Sequence, residues 1–257
     1  MRGNMAYREQ RFVSGDYLDV NIYPVFRSRR QTKRSIVRKP TKAVQQALNR
    51  RNRAREVNHV ICANFSNADY YLTLTYAGIP PSEEQARREV ENFLKRYARA
   101  LAKKGQTVFK YVKTIETGRN GRAHIHLVLT GGLSPKEVQA LWGRGYIDCK
   151  PLMFSAEGVA GLARYFTKEP RNEAGSGSRR KSWSCSRNCI HPEPKTNDYK
   201  YSKKRAAELA RESENARLLE KLYPDYICAE CKPFYNDQTG LYYLAMRFYK
   251  KTARLDI

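Results

Sequence analysis

Two histidines stand two residues apart in RAHIHLVLT, residues 122–130, in a chain that has only 4 histidines among 257 residues. The stretch reads as a β-strand. Side chains alternate on a strand, so His124, His126 and Val128 share one face, while Ile125, Leu127 and Leu129 share the other and belong to the core. Two imidazoles placed this way can reach one metal ion; they can equally be two half-exposed histidines in a sheet. Glu116 ends the preceding strand, just before an Asn-Gly turn, eight residues ahead of His124. With an odd number of residues in the loop, Glu116 lies across from His124 on the same face. One carboxylate and two imidazoles with open positions suit Mg²⁺ or Mn²⁺ acting as a Lewis acid on a substrate oxygen.

A second group follows in SAEGVAGLARYFTKEP, residues 155–170. The pattern predicts a helix capped by Ser155 and stopped before Pro170. Val159, Leu162, Ala163 and Phe166 form its apolar stripe, with Tyr165 at the edge. Lys168 is one turn further along the same side, and Glu169 is on the same flank. Gly161, four residues before Tyr165, leaves space above the ring. A tyrosine at the edge of an amphipathic helix is an ordinary half-buried residue. Beside a metal and one turn from a lysine, it is also a nucleophile whose phenolate a cation favours.

The elements that must position these groups are legible. DYYLTLTY (69–76), FKYVKTIE (109–116), AHIHLVLT (123–130) and GYIDCKPLM (145–153) read as strands. PPSEEQARREVENFLKRYARALAKK reads as a helix with Val90, Phe93, Leu94 and Tyr97 at helical spacing, and SPKEVQALWGR as a short helix with Ser134 as N-cap. The order from 69 to 168 is β-α-β-β-α-β-α. This predicts an α+β fold: a ferredoxin-like, split β-α-β antiparallel sheet flanked by helices. Three regions are expected: a basic N-terminal arm and helix over 1–57, the core over 58–170, and a basic loop, helix and C-terminal hairpin over 171–257 that extends the core. Residues 1–40 read as irregular, and Thr41 as the cap of a helix running to about Val57. Residues 171–205 read as a Gly-, Ser- and Arg-rich loop. A helix is expected near 202–222, and hairpin strands near 226–234 and 241–250.

The formal charge is +24 and 41% of residues are hydrophobic. A globular chain so basic calls for a polyanionic partner, because basic side chains gain affinity by releasing phosphate counterions. No apolar run is long enough to span a membrane, and the N-terminal MRGNMAYREQRF has no apolar signal core, so a cytosol-like compartment is expected. The 6 cysteines then read as reduced thiols. CSRNC with His191 and CAEC have tolerable spacing for structural zinc, but CAEC alternates like a strand, which favours buried thiols.

YLTLTY, then ETGRNGRAHIH, then YFTK, in this order and spacing, resemble the three motifs of the HUH endonucleases. These are rolling-circle replication initiators (Rep) of single-stranded DNA phages, plasmids and small circular viruses. The resemblance covers about 64–170; SWSCSRN and the basic N-terminal helix are similar to phage or plasmid Rep proteins. It implies that Glu116, His124 and His126 hold Mg²⁺ or Mn²⁺, with Glu169 as a further ligand. It implies that Tyr165 attacks a phosphate of single-stranded origin DNA, leaving a 5′-phosphotyrosyl link and a 3′-OH primer, while Lys168 orients or neutralises the phosphate. Gly161 stands where a second tyrosine would be, which implies the single-tyrosine class. Candidate DNA contacts are Arg119, which follows Gly118 in the turn, with Arg122, Arg164, Arg179, Arg180, Lys181 and Arg187. No phosphate-binding G-x-x-x-x-G-K-[ST] occurs, so a host helicase, polymerase and single-strand-binding protein are implied partners, with an origin hairpin as substrate. The implied setting is a bacterial cytoplasm, or a host nucleus for a eukaryotic virus. An HUH transposase or relaxase, and a non-catalytic nucleic-acid-binding protein, are the alternative readings.

Overall fold

The computed structural model describes residues 4–27, 42–79, 81–117, 123–167 and 183–253. It divides into two compact units: Met1–Asn49 with Ser155–Gly158 and His191–Ile257, and Arg50–Phe154 with Val159–Ile190. Each has its own five-stranded antiparallel sheet.

The second unit contains the histidine strand. Its elements are β3 (Tyr70–Leu74), α2 (Glu83–Lys103), β4 (Tyr111–Thr117), β5 (Ala123–Leu129), α3 (Pro135–Trp142), β6 (Ile147–Pro151), α4 (Ala160–Phe166) and β7 (Ser184–Cys185). Its strand order is β6-β3-β5-β4-β7. The first four strands are in the ferredoxin-like order that the β-α-β-β-α-β pattern predicts. Helix α2 starts where Ser82 accepts from the Gln85 N–H, and α3 where Ser134 and Glu137 form a reciprocal capping box. Both helices lay their apolar stripes on one face of the sheet. Val90, Phe93, Leu94, Tyr97, Val138 and Trp142 pack there against Leu72, Leu74, Ile125, Leu127 and Leu129. Trp142 Nε1–H donates to the Thr75 carbonyl at 2.9 Å and the Tyr97 hydroxyl to the Thr130 carbonyl at 2.9 Å, so the polar tips of these rings are satisfied.

Gly131 closes β5 against the start of β3. A Cβ there would lie 2.1 Å from the Ala68 carbonyl oxygen, and the Gly131 N–H donates to Asp69 at 2.9 Å. Gly131→Ala must therefore push backbone apart. We expect a loss of about 1–3 kcal/mol of stability, read as a lower denaturation midpoint; an unchanged midpoint would mean that the two segments are not held this tightly.

The first unit is built from β1 (Asn4–Ser14), β2 (Tyr17–Arg27), β8 (Lys195–Tyr201), α5 (Lys203–Arg211), α6 (Ala216–Glu220), β9 (Tyr226–Asn236) and β10 (Leu241–Lys250), with strand order β8-β1-β2-β10-β9. Leu18, Val20, Ile22, Leu244, Met246 and Phe248 form its core with Leu209 and Leu219 from the helices. Buried charges are paired: Glu9 with Lys200 at 2.6 Å, and Asp19 with Arg247 at 2.7 Å.

Several expectations are corrected. Residues 4–27 are not irregular but a hairpin, whose two-residue Gly15-Asp16 loop has Gly15 at φ 62°. The C-terminal hairpin forms as expected but does not extend the histidine sheet; β10 pairs with β2. Two helices occupy the 202–222 region, and β7 and β8 lie within the expected loop. Helix α1 spans Lys42–Asn64, well past Val57. The expected cap Thr41, the Asn-Gly turn and most of 171–182 lie outside the described residues. CAEC lies on β9 as expected, and burial raises both thiols, Cys231 to about 12. No described helix is long and apolar enough to cross a membrane.

Candidate active site

Strand β5 lies between β3 and β4, so its face opposite α2 and α3 is flanked on both sides. Three adjacent strands contribute polar residues to that face. Glu116 on β4 is the direct cross-strand partner of His124, the expected register. His126 is the partner of Thr114 on β4 and of Thr73 on β3. Directly opposed side chains on one face are within contact range, so Glu116, His124 and His126 form one cluster.

His126 is the centre of this cluster. It is 4% exposed, and both ring nitrogens are engaged. Nδ1 lies 3.0 Å from the Tyr71 hydroxyl and 3.2 Å from Thr73 Oγ1; Nε2 lies 3.0 Å from the Tyr165 hydroxyl. The Tyr165 ring meets the imidazole edge-on, with centroids 4.6 Å apart and planes at 84°. Burial lowers the His126 pKa to about 4, against the opposing pull of Glu116. The imidazole is therefore neutral at physiological pH, the form that can accept a hydrogen bond or ligate a cation. Burial and then the Glu116 carboxylate push Tyr165 up to about 12. Its phenol is thus protonated in this arrangement, and a neighbouring cation is needed to bring it toward phenolate.

Helix α4 brings Tyr165 to this face. Its apolar stripe is as expected at Val159, Ala163 and Phe166, which are buried. Tyr165 itself is 38% exposed, and a Cβ added at Gly161 would meet nothing within 4 Å. Ser155 does not cap the helix; it closes a turn with Gly158, and the N-cap is Val159. The reason is a competing acceptor. Asn58 Oδ1, on α1, accepts the Val159 N–H at 2.7 Å in a buried bond across 101 residues. At the other end Thr167 Oγ1 donates to the Ala163 carbonyl at 3.0 Å. Asn58→Ala leaves the Val159 N–H buried and unpaired, costing about 1–3 kcal/mol. We expect a lower melting temperature together with slower chemistry at Tyr165; parental values for both would show that α4 is held without this bond.

Tyr71, Thr73 and Asn58 carry roles that the motif reading did not assign. The signal for the first two is the alternation in YLTL: Leu72 and Leu74 enter the core, so Tyr71 and Thr73 must face His126. Arg164 is exposed on α4 beside Tyr165. Arg187 follows β7, which pairs with β4 at Val112 and Lys113, toward the end of β4 away from Glu116; it is not brought to the cluster. Lys168, Glu169, Arg119, Arg122, Arg179, Arg180 and Lys181 lie outside the described residues.

A carboxylate and two imidazoles on one face fit a divalent cation by donor type. Among the described residues, no three His, Cys, Asp or Glu side chains converge closely enough to hold an ion. The local reason is visible at His126: Nδ1 is taken by Tyr71 and Thr73, so a cation and Tyr165 compete for Nε2.

This is an α+β unit with a ferredoxin-like antiparallel sheet that holds a histidine pair, a facing glutamate and a helical tyrosine on one face. Within it, residues 69–170 match the family model of the replication-associated protein ORF2/gene 2 protein. That match supports a replication-initiator role. No curated protein and no solved structure matches the chain.

Proposed function

We propose that the chain is a single-tyrosine HUH-type enzyme that starts rolling-circle replication by nicking and rejoining single-stranded origin DNA. The observation that carries this reading is the 3.0 Å approach of the Tyr165 hydroxyl to His126 Nε2, on the face where Glu116 opposes His124. A tyrosine held on a short helix against a carboxylate–imidazole cluster is suited to phosphoryl transfer, where positioning and charge neutralisation dominate. Glu116, His124 and His126 would hold Mg²⁺ or Mn²⁺, which when bound supplies Lewis-acid polarisation of the phosphate and favours phenolate. Tyr165 gives its proton to water, and its oxygen attacks the phosphorus. The P–O3′ bond breaks, the 3′ oxygen leaves as a hydroxyl that can prime synthesis, and the 5′ phosphate stays on Tyr165. Attack by a 3′-OH on that phosphotyrosine rejoins the strand without an external energy source. Lys168 and Arg164 would neutralise the phosphate, and Glu169 would complete the ligand set.

The test uses the full chain, Mg²⁺ or Mn²⁺, and labelled single strands tiled across the DNA that carries its gene. The expected result is a protein–DNA adduct that survives denaturation, forms only with metal, and appears with one tile or a few. Tight binding with no adduct on any tile would leave a nucleic-acid-binding protein and remove the enzyme.

A further inference from the structure

The first half of α1 has no part in the site above, and its composition is unusual for a surface helix. Residues 42–52 are exposed on every side, whereas Val57, Val60 and Ile61, further along the same helix, are buried. The stretch 42–55 contains Lys42, Arg50, Arg51, Arg53 and Arg55 and no acidic residue. At about 100° per residue, Lys42, Gln45, Gln46, Asn49, Asn52 and Arg53 share one side. Helix propensity alone does not call for this set, since asparagine is a weak helix former.

We propose that this exposed segment of α1 lies in the major groove of duplex DNA and reads base edges there. Arg and Lys pair with guanine, and Asn and Gln with adenine, through the groove's donor–acceptor pattern. A helix with side chains is about 10–12 Å across, close to the roughly 12 Å width of that groove. Eleven residues rise about 16 Å, enough to follow some five base pairs. Arg51 and Arg55, on the other side, are placed for backbone phosphates. The charge is complementary to DNA along the whole segment, and the amides are what a purely electrostatic surface would lack. RNA duplexes fit less well, because their major groove is too narrow for a helix. The inference deepens the proposed function: the tyrosine site acts on a single strand, and α1 would place it by gripping an adjoining duplex. It rests on DNA being the substrate, not on the tyrosine chemistry.

The test compares the full chain with R50E/R51E and with Q45A/Q46A/N49A. Glutamate and alanine both favour helix, so the fold is kept, and circular dichroism checks it. The probes are a random-sequence DNA duplex and a single strand of the same length. R50E/R51E should bind the duplex about tenfold or more weakly, with a clearly smaller loss on the single strand. The slope of log affinity against log salt should flatten by about 2, near 0.9 for each phosphate no longer neutralised. The amide variant should keep the parental slope but fail to enrich the duplex motif that the parent selects from a random pool. Unchanged duplex affinity in R50E/R51E, or an equal loss on both probes, overturns the duplex assignment. Enrichment of the parental motif by the amide variant overturns the base-reading role. Adduct formation by the parent, followed in parallel, separates the two claims: a missing adduct with the duplex effects intact removes the nicking reading and keeps this one.

Discussion

Tyr165→Phe should abolish the covalent protein–DNA adduct and lower strand cleavage by at least about 10³-fold, the scale of removing a nucleophile. The substitution deletes one hydroxyl from a ring that is 38% exposed. It breaks the 3.0 Å hydrogen bond with His126, worth about 1 kcal/mol, and leaves the buried stripe of α4 untouched. The variant should therefore fold and bind single-stranded DNA much as the parent does. Burial and Glu116 hold the parental phenol near 12, so adduct formation should also depend steeply on added metal. Adduct formation by the phenylalanine variant, measured on denaturing gels, would move the nucleophile elsewhere.

His126→Ala should leave single-strand binding near the parental value and reduce cleavage by about 10²–10⁴-fold, the range expected for losing a group that organises the reaction. This histidine is buried, so truncation also has a structural cost. It leaves Tyr71, Thr73 and Tyr165 without their shared partner and loosens the fold by about 1–3 kcal/mol. A melting curve separates that cost from the chemistry: the variant should remain folded at assay temperature while cleavage is lost. A folded and fully active variant would remove His126 from the metal site and, with it, the reading of the histidine pair.

The histidine sheet is legible because its order is written in local signals. Capping residues mark α2 and α3, alternation marks β3 to β6, and a short hairpin ties Glu116 to His124. What escapes depends on distant partners. Strands β1 and β2 place Glu9 and Asp19 in buried positions, which breaks the polar–apolar rhythm; their partners Lys200 and Arg247 lie about two hundred residues on. The Gly15-Asp16 loop is the local clue to that hairpin. Asn58 looks like any polar residue of a helix until its bond to Val159 is seen. Ser155 is a reasonable cap by type, but the helix starts later because Asn58 offers the acceptor.

The central claim is that Tyr165 is the atom-level link between this protein and DNA. The most direct measurement is mass spectrometry of the adduct formed with Mg²⁺ or Mn²⁺, after nuclease and protease digestion. The account predicts a single modified peptide containing Tyr165, with a nucleotide joined through its 5′ phosphate to the phenolic oxygen. A nucleotide on any other residue, or one joined through a 3′ phosphate, would contradict it.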